Sequence, residues 1–155
     1  MLIRKATSKD AVTLMDLYCN HLTKYPPKEP QNIALWREKI IKFETDPMYN
    51  LLLGELEGKV VSTVTLVVIE NLTRNLRSYA IIENVVTHTD FRGRGYAKIL
   101  MQKAIETAAA HGCYKIMLQT GSKEDETLRF YENCGFNRND KTGFVHWIKK
   151  PQSYT

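Results

Sequence analysis

Apolar residues recur along this chain with two periods, and each change of period marks an element. Residues 2–6 alternate as a short strand, and Thr7 or Ser8 is placed to cap a helix over residues 10–22. Ala11, Leu14, Met15, Tyr18 and Leu22 give that helix its buried face. Pro26, Pro27 and Pro30 then enforce a non-helical loop. Helical spacing resumes over residues 31–45 through Ile33, Trp36, Ile40 and Phe43, and Asp46-Pro47 stops it. Residues 49–56 and 59–70 are rich in Leu, Val, Ile and Thr and flank Glu57-Gly58, which predicts an antiparallel hairpin. A polar loop over residues 71–76 leads to an apolar strand over residues 79–88.

The next stretch organises the rest. Phe91-Arg-Gly-Arg-Gly-Tyr-Ala97 is a tight basic turn, and beyond it Ala97, Leu100, Met101, Ala104, Ile105 and Ala108 fall on one face of a long helix running toward His111. Gly112 supplies a stop, and residues 113–119 read as a buried strand. A right-handed crossover through the helix makes this strand parallel to residues 79–88. A second helix over residues 124–134 ends at Gly135, residues 136–140 and 143–149 are expected to close the sheet, and residues 151–155 form a loose tail. The pattern predicts one α/β domain over residues 1–150, with a mixed, mostly antiparallel sheet, a central parallel strand pair and flanking helices.

The turn carries the candidate chemistry. The first N–H groups of a helix lack internal partners, and the helix dipole adds positive potential there, so an anion fits. Gly93 and Gly95 have no Cβ and let a phosphate approach the backbone, while Arg92 and Arg94 add charge at its edge. A surface turn that happens to be basic is the alternative. The dinucleotide fingerprint fails, because Lys98 stands where its third glycine belongs, and the P-loop pattern is absent.

Composition narrows the classes. With 43% hydrophobic and 25% charged residues in 155, the chain reads as an ordinary globular protein long enough for a sizeable core. No apolar run approaches the roughly 18 residues of a membrane span, and Met1-Leu-Ile-Arg-Lys5 lacks the core of a signal peptide, so the expectation is cytoplasmic, with no membrane partner. Cys19, Cys113 and Cys134 suggest neither a disulfide framework nor a zinc site, and His21, His88, His111 and His146 show no ligand spacing; no metal is expected. The net charge of +5 suits a ligand bearing several phosphates. Basic residues are interspersed with acidic ones, and no stacking platform or helix-turn-helix pattern is present, so nucleic acid is not an expected partner.

The sequence Arg92-Gly93-Arg94-Gly95-Tyr96-Ala97 resembles the acetyl-coenzyme-A-binding motif of the GCN5-related N-acetyltransferase (GNAT) family, Gln/Arg-x-x-Gly-x-Gly/Ala. Further on, Leu128-Arg-Phe-Tyr-Glu-Asn-Cys-Gly-Phe136 is similar to the family's second signature, a helix ending in Phe-Tyr-Glu-x-x-Gly-Phe. Their order and separation, and the order of elements across nearly the whole chain, also resemble the family. Within it, Ile82-Glu-Asn-Val-Val86 and Cys113-Tyr-Lys-Ile116 look most like the glucosamine-6-phosphate N-acetyltransferases. The sequence departs from the family at Glu124 and Thr127, where Asn and Ala are frequent; Ser122 or a backbone group is the candidate substitute for the contact such an Asn makes to pantetheine.

The resemblance implies acetyl transfer from acetyl-CoA, as cosubstrate, to a primary amine of a small molecule in a ternary complex. It implies that the backbone amides of Arg92, Gly93, Arg94, Gly95, Tyr96 and Ala97 hold the pyrophosphate. It also implies that Val85, Val86 and Thr87 pair with the pantetheine arm like an added strand, with a main-chain N–H near Val86 polarising the thioester carbonyl. Tyr131, matched to the family tyrosine, is the candidate acid for the leaving thiolate; packing on the core is its other reading. An alkylamine with a pKa of about 10 must lose a proton before attack. Glu83, a carboxylate in an apolar strand where burial raises a pKa, is the candidate base, with an ion pair to Arg77 as its bland role and His88 as the alternative base. Lys24, Lys28, Arg74 and Arg77 are candidates to meet an anionic acceptor such as an amino sugar phosphate. A non-catalytic acetyl-CoA sensor, a protein amine as acceptor, and a homodimer built through the C-terminal strand are further readings.

Overall fold

A computed structural model of the chain describes residues 1–23 and 26–148. The chain divides into two compact units, one ending at Leu118 and one beginning at Gln119. The expected loose tail, together with Lys24 and Lys149, lies outside the described residues.

The first unit is a five-stranded sheet in the order β1-β2-β3-β4-β5, with helices on its faces. Its strands are β1 (Leu2–Lys5), β2 (Tyr49–Leu56), β3 (Lys59–Ile69), β4 (Tyr79–Thr87) and β5 (Ile116–Leu118). Neighbours β1 to β4 pair antiparallel, and β4 with β5 pairs parallel. The hairpin turn falls at Glu57 and Gly58, both with positive φ, where a two-residue turn twists with its strands. The predicted parallel pair is present because α4 (Tyr96–Ala110) carries the chain back across the sheet.

On one face lie α1 (Ala11–Asp16), the π-helical turn Leu17–Leu22 that continues it, and α2 (Ile33–Thr45). Ala11, Leu14, Leu17 and Ile40 pack there with Leu51, Leu53, Val60 and Val86. The widening of the helix explains one departure from the predicted face: a π turn shifts the azimuth of later residues, so Leu17 is buried and Leu22 is exposed. On the other face α4 buries Leu100, Met101, Ala104 and Ala108 of the predicted stripe, and Ala97 and Ile105 are half-buried. A Cβ at Gly54 in β2 would make ordinary contact with Leu100 Cδ1 of α4 at 3.5 Å but crowd Met1 Sδ at 2.7 Å, so the missing side chain makes room for the Met1 side chain. Covering on both faces accounts for the near-continuous apolar sequence of β2 and β3. A one-turn segment α3 (Thr73–Leu76) has left-handed φ at Arg74, Asn75 and Leu76.

The second unit contains α5 (Asp125–Glu132). The strands expected over residues 136–140 and 143–149 are not formed through residue 148. Polar local bonds replace a ladder: Asn139 N–H donates to the Asn137 side chain at 2.9 Å, and Arg138 pairs with Glu132 at 2.7 Å, tying the chain to the end of α5. Phe144, Val145 and Ile148 are left exposed. No helix among the described residues is long and apolar enough to cross a membrane.

Candidate active site

The site grows from an irregularity in β4. Thr65 pairs with Glu83 and Thr63 with Val86, so three steps along β4 match two along β3. This is a β-bulge, and Asn84 takes it up with φ of 53°, a left-handed value that asparagine tolerates better than most residues. The extra residue lets Glu83 and Val86, an odd number apart, stand on the same face of the sheet. That face carries α1 and α2, because Val86 packs into their core.

The bulge also coincides with the parting of two strands. β4 pairs with β5 only at Ala80, Ile81 and Ile82, since β5 ends at Leu118. Among the described residues, Val85, Val86 and Thr87 therefore have no strand partner on the β5 side. His88 donates its N–H to Val61 O at 2.9 Å, so by antiparallel alternation Val86 also faces β3, while Val85 and Thr87 turn their backbone groups to the open edge. The Thr87 carbonyl already accepts Arg92 Nε at 3.1 Å.

Past β4, a 3₁₀ turn (Thr89–Phe91) leads into the glycine turn and α4. Gly93 and Gly95 have φ of 73° and 81°, and a Cβ at either would meet no protein atom within 4 Å. Gly95 is the N-cap of α4 and gives it no side-chain cap, so the first N–H groups are offered outward. Arg92 and Arg94 are committed locally. Arg92 donates to the carbonyls of Thr87 and His21, fastening the turn to β4 and the π turn; Arg94 donates to Asp90 O at 3.2 Å and lies over the Phe91 ring. Their charge stays at the turn, and their hydrogen bonds hold its shape.

Glu83 is exposed, contrary to the burial expected of a carboxylate in an apolar strand. The strand is apolar, but the bulge turns this side chain to the lip of the sheet. No ion pair to Arg77 forms among the described residues; Arg77 Nε reaches Gly112 O at 3.5 Å instead. Beside Glu83 a cavity of about 330 Å³ opens between α1, α2 and the sheet, lined by Leu14, Tyr18, Leu35, Trp36, Lys39, Ile40, Phe43, Tyr49, Leu51, Thr65 and Asn84. Glu83 belongs to its face, being the cross-strand partner of Thr65. Burial, and then the charge of Glu83, pushes the Tyr49 hydroxyl above the usual tyrosine range.

His88, the alternative base, lies against His21 with ring centroids 4.0 Å apart and planes tilted by 33°. Their ligand atoms and that of Asp16 lie within 4.8 Å, a grouping that no sequence spacing showed. Yet His21 Nδ1 accepts the Thr89 N–H and His88 Nδ1 accepts the Asp90 N–H, each at 3.3 Å. On the other side of its ring, His21 Nε2 lies 3.5 Å from Asp16 Oδ2. The cluster works as a pin between the π turn and the start of the glycine turn.

In the second unit, Tyr131 is half-buried on α5, its ring 5.1 Å from that of Phe130, and its carbonyl accepts the N–H groups of Cys134 and Phe136. The helix end is thus closed by the Gly135-Phe136 part of the second signature. Ser122 accepts the Glu124 N–H at 3.2 Å, which leaves its hydroxyl hydrogen to donate.

Sequence reasoning missed Asn84 and the cavity. An asparagine inside an apolar strand was the available signal for the first; Tyr18, Trp36 and Phe43 were legible only as core.

Residues 13–136 match the Acetyltransferase (GNAT) family. A glucosamine 6-phosphate N-acetyltransferase of Trypanosoma brucei brucei is 31% identical over 124 residues, covering 78% of this chain and 79% of that protein. A solved structure from Agrobacterium tumefaciens str. C58, provisionally named an acetyltransferase, superposes with a TM-score of 0.85 at 38% identity, over 95% of this chain and 99% of that one. The glucosamine-6-phosphate N-acetyltransferase of Arabidopsis thaliana shares the fold, with a TM-score of 0.81 at 22% identity over 96% and 98% of the two chains. The open strand edge, the uncapped helix and these likenesses agree: the chain belongs to the GNAT family and is an acyltransferase of the kind that uses acetyl-CoA as cosubstrate.

Proposed function

We propose that the protein moves the acetyl group of acetyl-CoA to the primary amine of a small molecule by direct attack in a ternary complex. The observation that carries this reading is the continuity of the open β4 edge with the uncapped start of α4. Backbone N–H groups from Arg92 to Ala97 suit a pyrophosphate. Val85 offers an N–H and a carbonyl to a pantetheine amide, and Thr87 offers its N–H. These two N–H groups, flanking Val86, are the candidates to polarise the thioester carbonyl.

In the transfer, the amine nitrogen bonds to the carbonyl carbon and the carbon–sulfur bond breaks. Glu83, directly or through water, takes the proton the amine loses; Tyr131 gives one to the departing thiolate. Burial holds the Cys19 and Cys113 thiols above their ordinary pKa, which disfavours the thiolate an acyl-cysteine route would need. Ser122 is assigned to the pantetheine arm. The trypanosomal relative's name makes an amino sugar phosphate the first anionic acceptor to try, and if it is used, Arg74→Ala or Arg77→Ala raises KM with little change in kcat. The reducing cytoplasm suits the thiols of Cys19 and Cys113, and the exposed Phe144, Val145 and Ile148 support a homodimer formed through this segment.

A thermal-shift titration with acetyl-CoA, coenzyme A, NADH and duplex DNA tests the cradle. Ligand at about a hundred times its Kd adds roughly 2.7 kcal/mol, about 5 to 10 °C at this chain length. The expected result is a shift with the CoA species alone; no shift with either overturns the reading. Thiol release with amines then separates an enzyme from a sensor. Tyr131→Phe should keep the shift and lose about 10²-fold in kcat, and parental turnover would remove the acid role.

A further inference from the structure

We infer that the cavity beside Glu83 seats the body of the acceptor, and that this body is apolar and ring-bearing, as in an arylalkylamine, with its amine at the Glu83 lip. The inference rests on the transfer proposed above and names its substrate class.

Size and walls come first. At about 330 Å³ the cavity falls within the range of small-molecule sites. Two aromatic pairs form its sides: Tyr18 and Trp36, with ring centroids 6.0 Å apart and tilted by 37°, and Phe43 stacked on Tyr49 at 3.7 Å. Buried Leu14 and Leu51 add apolar surface between them. Such faces accept a flat or cyclic hydrophobic group and attract a nearby ammonium.

Charge comes second. A phosphate needs fixed donors to replace its water, and the walls supply few. The Tyr18 hydroxyl faces Thr65 Oγ1 at 3.5 Å, and among the described lining residues Lys39 is the sole cation, itself exposed. Arg74 lies over the Tyr114 ring and Arg77 reaches toward Gly112, so neither lines the cavity. Glu83, on the same face, attracts an ammonium and repels an anion. Chain continuity sets the amine two residues from Val85, at the open edge proposed for the thioester. One end of the acceptor thus meets carboxylate and backbone, and the other meets rings.

The test uses the full chain with 2-phenylethylamine, cyclohexylmethylamine, spermidine and glucosamine 6-phosphate, read in two ways. Thiol release from acetyl-CoA should give 2-phenylethylamine a kcat/KM at least about tenfold above that of glucosamine 6-phosphate. Without acetyl-CoA, 2-phenylethylamine should alter tryptophan fluorescence in the parent and not in Trp36→Phe. Trp36→Ala should raise its KM about tenfold or more while the acetyl-CoA thermal shift is kept. Leu35→Glu, at a position 60% exposed where folding tolerates a charge, should do the same. Preferred turnover of glucosamine 6-phosphate with no fluorescence response to 2-phenylethylamine overturns the inference and leaves the transfer intact. A response confined to Trp36 with no thioester consumed by any amine supports the cavity and overturns the transfer. Neither response nor turnover overturns both.

Discussion

Asp10 holds the first loop of the chain by charge. Its carboxylate accepts two hydrogen bonds from Arg4, at 2.7 and 2.8 Å, and the Thr7 N–H at 2.8 Å. The Arg4 guanidinium keeps the acid below the ordinary carboxylate range. A group whose folded pKa is depressed stabilises the fold above the unfolded value, about 3.9, and loses that contribution as pH falls through the folded one. Asp10→Asn should therefore cost about 2 kcal/mol near pH 7, a Tm lower by roughly 4 to 8 °C, with the gap narrowing in melts as pH falls below the unfolded value. Gly95 carries a different constraint. A Cβ there touches nothing, so Gly95→Ala pays only for its left-handed φ, about 1 to 2 kcal/mol, and should raise the KM for acetyl-CoA more than it lowers Tm. Fluorescence melts and donor titrations would separate the two effects.

Among the elements, α4 was the most legible: Leu100, Met101, Ala104 and Ala108 repeat at helical spacing and are buried, while Ala97 and Ile105 on the same stripe are half-buried. Legibility fails where a backbone departs from its period. The π turn moved Leu22 outward, since its wider helix has no signature in a list of apolar positions. Residues 143–148 show strand-like composition, but a strand exists only with a partner, and partners are not written locally. The exposure of Glu83 follows from the bulge one residue on, which the sequence announced only as an asparagine. Asn84→Gly should be tolerated, while Asn84→Val forces a β-branched residue toward φ of 53° and should lower stability by about 1 to 2 kcal/mol. If the strand straightens instead, Glu83 or Val86 changes face, and kcat falls with the acetyl-CoA shift retained. Paired melts and rate measurements on the two variants check this.

For the whole molecule, charge and assembly can be measured without knowing the acceptor. A chain of net charge +5 meeting a polyanionic donor should bind it less well in salt, so the KM for acetyl-CoA should rise severalfold between 50 and 500 mM NaCl. Light scattering on Ile148→Lys should give a smaller mass than the parent if the exposed C-terminal segment forms a dimer. The parting of β4 from β5 has another consequence. A sheet margin with main-chain groups facing solvent is a template for any extended peptide, including the same strand of a second molecule. A donor laid along it would act as a removable guard strand, covering in the loaded enzyme a surface that the empty enzyme leaves adhesive. Concentrated or gently heated samples should then turn turbid sooner without coenzyme A than with it, even where the two forms are equally folded.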